Sequence, residues 1–419
     1  MTDAASPRSA LEVLGPGLVT GAADDDPSGI GTYSQVGAQF GYAMAWTMFF
    51  GFPLLASIQA ICARIGATTG RGIAQNLRRH YPPAVLRVVV VMLLVANVIN
   101  LGADLGAMGE VLALIMPGPV LAYTALFGLV SVVLEVFVSY NRFASILRWA
   151  TLSLFAYVGV VFVAHVPWGI AIRSIVVPQL ALDRAQAMAL VAIFGTTISP
   201  YLFFWQAGQE VEEQHRRHIK PLHVSPRRVA GIELKRIRTD TLVGMGFSHL
   251  VALFIIIATA ATLHANGVRD IESAAQAAEA LRPIAGEFAF ALFALGIIGT
   301  GMLAVPILAG SAAYAVSETF GWTEGLDRKP REAKAFYGVI AAATVGGVAL
   351  NLTGIDPMKA LYWAAVVNGL LAPPLMVITM LIAQNRKVMG KLTIGRGLAF
   401  GGWLSTAVMW IVAAVFLIS

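Results

Sequence analysis

The sequence predicts an all-α polytopic membrane protein with eleven transmembrane helices, two of which are interrupted. Of its 419 residues, 58% are hydrophobic and 12% are charged, whereas a soluble domain carries about 25% charged residues. The charges are unevenly spread, so that uncharged stretches long enough for a membrane span of about 20 residues recur along the chain. Nothing between these stretches has the composition of a separate soluble domain. We therefore expect residues 1–419 to form one membrane domain.

The uncharged stretches place the spans, and the basic residues between them set the orientation. We expect spans at residues 12–39 (interrupted at 26–29), 43–63, 84–104, 110–135, 148–173, 185–209, 241–264, 288–317, 335–355, 360–385 and 397–418. If odd-numbered helices start in the cytoplasm, 24 of the 29 Lys and Arg residues lie on the cytoplasmic side, where basic loops are enriched. The sequence thus predicts a multi-pass cell-membrane protein with a cytoplasmic N-terminus and an extracytoplasmic C-terminus. The net charge of +6 then reflects topology and the lipid bilayer, and no nucleic-acid partner is expected.

The first interruption is Asp24-Asp25-Asp26-Pro27-Ser28-Gly29, inside a stretch otherwise free of charge. Proline lacks a backbone donor and glycine relaxes the backbone, so a helix that reaches this segment is expected to unwind. Freed carbonyls and a half-helix C-terminus beside a carboxylate attract a cation. We interpret Asp26 as a ligand and expect Asp24 and Asp25 to lie before the break, where water screens them, with Asp25 a candidate for a cavity or proton path. The alternative is a kinked helix whose aspartates reach the membrane surface.

A second interruption, Gly195-Thr196-Thr197-Ile198-Ser199-Pro200-Tyr201, stands five spans after the first. Interrupted helices at matching positions of two halves are typical of inverted-repeat transporters, whose binding site lies at mid-membrane. We therefore expect one repeat at about 12–172, a second at about 185–385, and an extra helix at about 397–418. The hydroxyls of Thr196, Thr197 and Ser199 are expected to face the site. The alternative is a proline kink lined by small residues.

Other spans also carry polar residues at membrane depth. Asp104 follows Asn97 and Asn100 at spacings of seven and four residues, so the three share one helix face. We interpret Asp104 as a cavity-lining acid; the alternative is a packing residue with satisfied hydrogen bonds. Asn368 in the tenth span is a further candidate, although polar residues also bridge membrane helices. Glu210, at the end of the sixth span, is expected to be solvated.

Around these residues, and over nearly its whole length, the chain resembles the natural resistance-associated macrophage protein (Nramp) family of divalent-metal transporters. The matching segments keep the family's order and spacing: Gly15-Pro16-Gly17, Asp26-Pro27, Gly37-Ala38-Gln39-Phe40-Gly41-Tyr42, Ala63-Arg64-Ile65-Gly66-Ala67-Thr68-Thr69-Gly70-Arg71, and Gly195-Thr196-Thr197 with Pro200. The family is similar to leucine-transporter-type (LeuT-type) proteins. The resemblance therefore implies a 5+5 inverted repeat with broken helices 1 and 6, and transport by alternating access.

Two motifs depart from the family. The usual Asp-Pro-Gly-Asn is Asp26-Pro27-Ser28-Gly29 here, and the usual Met-Pro-His is Ser199-Pro200-Tyr201. The resemblance implies a metal site at Asp26, Gly29, Thr196, Thr197 and Ser199, and a cavity or proton path at Asp104, Tyr201, Asn368 and Asp25. A thioether favours soft metals, whereas oxygen ligands suit Mg²⁺, Mn²⁺ or Ca²⁺. Without the Met and the His, the pattern resembles the magnesium-transporting branch of Nramp-related proteins at least as closely as the manganese and iron branch.

These observations predict a secondary transporter or facilitator that imports divalent metal cations of the Mn²⁺, Fe²⁺ or Mg²⁺ class. We expect the metal ion as the substrate, no cofactor, and a monomer in the bilayer. We do not expect an enzyme, because the sequence has no His/Cys constellation and no phosphate-binding glycine loop. The main alternative is a sodium-coupled symporter of a small organic solute with the same fold, and a channel is a further one. Three aspartates without a buried cation for a carboxylate substrate argue against the symporter.

Overall fold

The computed structural model describes residues 15–137, 154–181, 183–326 and 328–418, and all of their regular structure is helical. The helices are α1 (Pro16–Asp24), α2 (Pro27–Phe40), α3 (Trp46–Thr69), α4 (Ile73–His80), α5 (Pro83–Ile115), α6 (Val120–Phe137), α7 (Phe155–Val163), α8 (Trp168–Val176), α9 (Arg184–Thr197), α10 (Pro200–Arg216), α11 (Arg227–Thr259), α12 (Ala274–Glu279), α13 (Arg282–Ala285), α14 (Ala289–Phe320), α15 (Lys334–Leu350), α16 (Pro357–Gln384), α17 (Arg386–Met389) and α18 (Arg396–Ile418). Short 3₁₀ or π turns cover Gly41–Met44, Ala260–His264, Gly286–Phe288 and Asn351–Thr353.

Nine helical stretches within the described residues are long and apolar enough to cross a membrane. They coincide with predicted spans two to four and six to eleven. The first predicted span is divided into α1 and α2, which have 9 and 14 residues. Residues 12–14 of that span and 148–153 of the fifth lie outside the described part of the chain. The total of eleven spans therefore stays a prediction.

Several helices extend beyond the predicted spans. The structure starts α11 at Arg227, well before the predicted start at 241, so part of the expected basic loop is helical. Glu233 in this extension pairs with Arg217 at 2.8 Å and with Arg236 at 2.9 Å. In the same way α5 runs through Asp104 to Ile115. An uncharged stretch marks the part of a helix that lipid surrounds. A search for such stretches therefore does not find charged helical turns that lie beyond the bilayer or on a buried face.

The helix pair α1 and α11 meets at close range. A Cβ atom on Gly21 would lie 2.3 Å from the carbonyl oxygen of Gly244, so only glycine lets the two backbones approach this closely. The carboxylate of Asp240 on α11 accepts hydrogen bonds of 2.7–3.1 Å from three amides between Gly15 and Leu18. A carboxylate at a helix N-terminus is stabilising. The short helix α1 is therefore held to α11 along its length and at its start.

Long helices surround the two interruptions. Both α14 and α16 pack along α5, and α9 packs along α16. The proline pair at 373 and 374 lies inside α16 without ending it. The described connections between long helices at one end of the bundle (residues 70–82, 217–226, 321–326, 328–333 and 385–395) carry many Lys and Arg residues, and we refer to this end as the basic end. The helix breaks lie between the basic end and the opposite end.

Candidate cation site between the two helix breaks

The first break is shorter than predicted and is organised by Asp26. Helix α1 ends at Asp24, and α2 already begins at Pro27, because proline suits the first position of a helix. Asp26 is the N-cap of α2: its Oδ1 accepts the Gly29 amide at 2.7 Å, as aspartate does at many helix starts. The predicted unwinding over 26–29 is therefore wrong for Pro27 to Gly29. The non-helical residues are Asp25 and Asp26.

Three elements converge on the Asp26 carboxylate. Its Oδ2 accepts hydrogen bonds from the Asn100 amide of α5 at 3.1 Å and from the Tyr201 hydroxyl of α10 at 3.2 Å. The same Tyr201 hydroxyl lies 3.2 Å from the carbonyl oxygen of Ala23 at the end of α1. Only 1% of Asp26 is exposed. The sequence assigned Asp26 to a metal site and Tyr201 to a cavity or proton path, and the structure brings the two side chains together.

A polar chain continues from Asp26 into α5 and α16. Asn100 also faces Asp104, with its Nδ2 3.5 Å from Asp104 Oδ2, and its Oδ1 accepts the Asn368 amide at 3.2 Å. The Oδ1 atom of Asp104 is buried and has no hydrogen-bond partner among the described residues. Asn97 turns away and donates to the Leu308 carbonyl of α14 at 2.9 Å. Asp104 and Asn368 therefore belong to the site, whereas Asn97 is a packing residue.

The hydroxyl groups of the second break differ in their hydrogen-bond partners. The Thr196 hydroxyl lies 3.3 Å from the Ser28 hydroxyl and so bridges the two breaks. By contrast, Thr197 donates to the Ile193 carbonyl at 2.9 Å, and Ser199 donates to the Thr196 carbonyl at 2.7 Å. Both hydroxyls donate to carbonyl oxygens of α9. Thr197 and Ser199 are therefore hydrogen-bonded to the α9 backbone and do not donate into the site.

Gly29 lies between the two interrupted helices. A Cβ atom there would lie 3.1 Å from the Asp24 carbonyl oxygen and 3.4 Å from the Thr196 hydroxyl oxygen. A larger residue therefore has little room without a shift of its neighbours. The small residue keeps the Asp24 carbonyl and the Thr196 hydroxyl close to each other, on either side of the junction.

Asp24 and Asp25 are buried, contrary to the prediction that water screens them. Asp24 is 0% and Asp25 1% exposed. The Ser248 hydroxyl of α11 lies 2.6 Å from Asp24 Oδ2 and 3.3 Å from Asp25 Oδ1, but it has only one proton to donate. The Oδ1 atom of Asp24 and the Oδ2 atom of Asp25 have no partner among the described residues. The close contact of α1 with α11 removes these acids from water. Sequence reasoning missed Ser248, because a lone serine in an apolar helix carries no distinctive signal.

The site is negative and has no basic partner in the described part of the chain. None of the ion pairs between described residues involves Asp24, Asp25, Asp26 or Asp104. Burying unpaired carboxylates is costly, and a bound cation or protons must offset that charge. Within the described residues no three His, Cys, Asp or Glu side chains form a metal-binding group. A cation at Asp26 would therefore take its other ligands from carbonyls, hydroxyls, amides or water.

Access to the site differs between the two ends of the bundle. At the end opposite the basic end, a pocket of about 410 Å³ is lined by Gly31, Gln35 and Tyr362, among others, and so reaches α2 one turn past the break. On the basic side, α1 is packed against α11, and Thr20 hydrogen-bonds to Gln206 of α10. The structure is therefore closed towards the basic end, and a pocket extends towards the site from the opposite end.

A buried ion-pair network reinforces the closed end. Glu210, predicted to be solvated, is 0% exposed and pairs with Arg236 at 2.6 Å. Arg236 also contacts Glu233 at 2.9 Å and lies 3.9 Å from Asp240, the residue that caps α1. The prediction for Glu210 is wrong because α11 extends its charged turns over the end of α10. Part of the positive charge that suggested only a topology signal thus has a structural role.

Comparison with known proteins adds independent findings. A family model described as natural resistance-associated macrophage protein-like (Nramp) matches residues 17–419. The chain is 26% identical over 428 residues to the divalent metal cation transporter MntH of Mesorhizobium japonicum, covering 98% of this chain and 88% of that protein. It is 24% identical over 414 residues to MntH of Klebsiella pneumoniae, covering 95% and 92%.

Solved structures show the same architecture. The manganese transporter of Eremococcus coleocola, in complex with an aromatic bis-isothiourea substituted compound, superposes with a TM-score of 0.76 at 15% identity, covering 100% of this chain and 89% of that chain. Mhp1, a nucleobase-cation-symport-1 family transporter, gives a TM-score of 0.56 at 17% identity, covering 97% and 91%. At these identities the likeness shows the fold, and it confirms the predicted fold class.

Proposed function

The chain belongs to the natural resistance-associated macrophage protein family, and we propose that it imports divalent metal cations across the cell membrane by alternating access. The observation that carries the proposal is the buried Asp26 carboxylate at a helix break, linked through Asn100 to Asp104 and without a basic partner among the described residues. The relatives it matches along nearly their full length are named divalent metal cation transporters. The metal is then the substrate, and no enzymatic reaction is involved.

The donor atoms around Asp26 favour a hard cation. Carboxylate, hydroxyl and carbonyl oxygens from Asp26, Thr196, Tyr201 and Ala23 lie at the junction of the breaks. Such oxygen ligands suit Mg²⁺ or Mn²⁺, whereas a thioether selects softer metals. Mg²⁺ usually keeps several waters around one or two carboxylates. Since Ser199 stands where the family usually has methionine, we propose that the ion is held by Asp26 together with water and main-chain oxygens near Gly29.

Alternating access would proceed by movement of α1 relative to α11. The closed basic end rests on the Asp240 cap at Gly15–Leu18 and on the backbone contact of Gly21 with Gly244. The last carbonyls of a helix lack partners within it, so those at the end of α1 are available to an ion. Separation of α1 from α11 would move these carbonyls away from Asn100 of α5. Opening of the basic end and weakening of the ion site would therefore occur together.

The topology and assembly remain part of the proposal. We propose eleven spans arranged as repeats at about 12–172 and 185–385 with a final helix at about 397–418, a cytoplasmic basic end, and a monomer. The basic loops support this orientation through the positive-inside rule. A cysteine introduced at position 419 in a variant lacking Cys62 should react with a membrane-impermeant maleimide from outside intact cells. Reaction only after lysis would contradict the orientation.

Uptake into liposomes tests the transport proposal. Purified protein is reconstituted, and the entry of Mn²⁺, Mg²⁺, Ca²⁺ and Cd²⁺ is followed with an enclosed indicator, under imposed pH gradients and without them. We expect saturable uptake of Mn²⁺ or Mg²⁺ that Asp26→Asn strongly reduces. Glu287→Gln, which removes an exposed carboxyl outside the site, is the matched control and should transport normally. Absence of uptake of every divalent cation by the wild type would contradict the proposal.

The sodium-coupled symport of an organic solute is not favoured. The residues between the two breaks are hydrogen-bonded to one another at 3.1–3.3 Å. Such close contacts bring polar oxygen atoms together at a spacing that suits an ion. Among the described residues, the buried acids there have no ion-pair partner that could hold a carboxylate substrate. The likeness to Mhp1 shows a shared fold, and fold alone does not define a substrate.

A further inference from the structure

A groove at the basic end combines an apolar floor with two arginines. It lies between α3, α11 and the start of α18 and has a volume of about 540 Å³. Phe52, Ala56, Leu242 and Leu398 are among its apolar residues. The arginines are Arg64, in the last turns of α3 near the basic end, and Arg238, one turn before Leu242 on α11. Because a helix rises 1.5 Å per residue, the lining along α3 changes from Arg64 to Ala56 and Phe52 with increasing depth from this end, and Leu242 on α11 lies deeper than Arg238.

No acidic side chain of the described residues compensates the positive charge of the groove. Its lining contains Arg64 and Arg238 but no Asp or Glu. Arg64 donates through Nε and Nη2 to the carbonyls of Leu392 and Thr393, both at 3.1 Å, which fixes its guanidinium beside the turn before α18. Arg238 is exposed, and neither arginine forms an ion pair with a described residue. The nearby Arg236, in contrast, contacts two glutamates.

We propose that this groove binds an anionic phospholipid of the adjacent leaflet. The phosphate would lie against Arg238 and the free edge of Arg64, and an acyl chain would lie over Phe52, Ala56 and Leu242. Arginine binds phosphate through strong charge-assisted hydrogen bonds, and basic pockets between transmembrane helices at the cytoplasmic side suit anionic headgroups. A free phosphate ion would leave the apolar floor uncovered. The acid-free pair of arginines above an apolar floor therefore fits a lipid and not a soluble anion.

The bound lipid would act on the helix that closes the basic end. Arg238 follows Arg236 and precedes Asp240, which hold α10 and α1 from the other side of α11. A lipid in the groove would brace α11 against α3 and α18. We therefore expect anionic lipid to raise the thermal stability of the protein in this closed form.

Native mass spectrometry of the full chain in detergent tests the proposal. Dioleoyl phosphatidylglycerol and dioleoyl phosphatidylcholine, which share acyl chains, are titrated separately. We expect the wild type to retain phosphatidylglycerol in preference and Arg238→Gln to lose about tenfold in its affinity, as expected for one hydrogen-bonded charge. Arg228→Gln removes an exposed charge from the same helix outside the groove and is the matched control.

A second variant and a competition experiment test the apolar floor and the identity of the ligand. A Cβ on Gly397 has nothing within 4 Å, so Gly397→Leu should fold, fill part of the groove and weaken lipid retention while both arginines remain. Inorganic phosphate in excess should not displace the lipid. The proposal is overturned if Arg238→Gln retains phosphatidylglycerol like the wild type, if both lipids are retained equally, or if phosphate displaces the lipid. It is equally overturned if Arg228→Gln loses as much affinity as Arg238→Gln.

Discussion

The substitution Asp26→Asn removes one negative charge from the first helix break and preserves the shape of the side chain. The remaining oxygen can still accept the Gly29 amide, which lies 2.7 Å from Oδ1, so α2 stays capped. The new amide would face two donors, Asn100 at 3.1 Å and Tyr201 at 3.2 Å. Both have another acceptor: Asn100 lies 3.5 Å from Asp104, and Tyr201 lies 3.2 Å from a main-chain carbonyl. We therefore expect the variant to insert and fold.

The loss of ion affinity follows from the charge. Two unit charges 4 Å apart interact by about 4 kcal/mol at an effective dielectric constant of about 20, and a divalent ion doubles the attraction. The hydration that ion and carboxylate give up offsets part of this gain. A net loss of several kcal/mol remains, which is on the order of a hundredfold or more in affinity.

Two measurements check this expectation. Titration calorimetry with Mn²⁺ in detergent gives the affinity, and initial uptake into liposomes at subsaturating Mn²⁺ gives transport at matched protein amounts. Glu287→Gln should behave like the wild type in both. Asp104→Asn should lose less than Asp26→Asn, because Asp104 lies behind the Asn100 amide, which donates to Asp26 at 3.1 Å and lies 3.5 Å from Asp104. Equal uptake by Asp26→Asn and the wild type would refute the reasoning and place the site elsewhere.

Competition assays should show little preference for Cd²⁺ over Mn²⁺ or Mg²⁺, because Ser199 replaces the family's thioether. A wild-type preference for Cd²⁺ of about a hundredfold would contradict this expectation. Ser199→Met should shift selectivity towards Cd²⁺. Metal entry should cause weak or no acidification of the liposome lumen, because Tyr201 replaces the family's histidine and a phenol has an unperturbed pKa of about 10; acidification in proportion to metal entry would instead indicate Asp104 as a proton carrier. Asp24→Asn should weaken Mn²⁺ binding in calorimetry, though less than Asp26→Asn, because a buried carboxylate is poorly screened; an unchanged affinity would show that Asp24 carries no charge near the ion. Burial and the neighbouring Glu318 and Glu212 raise the pKa of Glu324, in the loop after α14, to about 9. The Glu324 carboxyl of the folded protein therefore keeps a proton that the same carboxyl loses above a pH of about 4.3 in the unfolded chain. Wild-type stability therefore falls between these pH values, and the Tm advantage of Glu324→Gln should grow from pH of about 5 to about 9 in thermal-shift assays; a constant difference would contradict the raised pKa.

The helix breaks were predictable because their signals are local. Proline at position 27 cannot continue the hydrogen bonding of α1 and suits the first turn of α2, and Asp26 before it is a strong N-cap residue. The same reasoning identified Ser199-Pro200, where α9 ends and α10 begins. A carboxylate at such a junction in an apolar stretch indicates a functional site from the sequence alone. What the sequence overestimated was the length of unwound chain, because proline ends one helix and starts the next within two residues.

The surroundings of the breaks were less predictable because they depend on packing between distant helices. The burial of Asp24 and Asp25 follows from the contact of Gly21 with Gly244, more than 200 residues away in the sequence. The directions of the Thr197 and Ser199 hydroxyls depend on acceptors in the preceding turn, and a residue type does not fix that choice. Charge-free stretches likewise located the nine long apolar helices of the described residues but not the charged extension of α11.

The arrangement around Asp26 would couple the proposed ion site to a conformational change. Its Oδ1 is fixed to α2 by the Gly29 amide, and its Oδ2 is directed to α5 and α10 through Asn100 and Tyr201. Tyr201 also lies 3.2 Å from the Ala23 carbonyl oxygen of α1, whose start is capped by Asp240 of α11. A rigid movement of α1 would therefore withdraw main-chain ligands while the carboxylate stays with α2. Because the two halves of the proposed site belong to separate helices, opening the basic end would weaken ion binding without any need to move Asp26 itself.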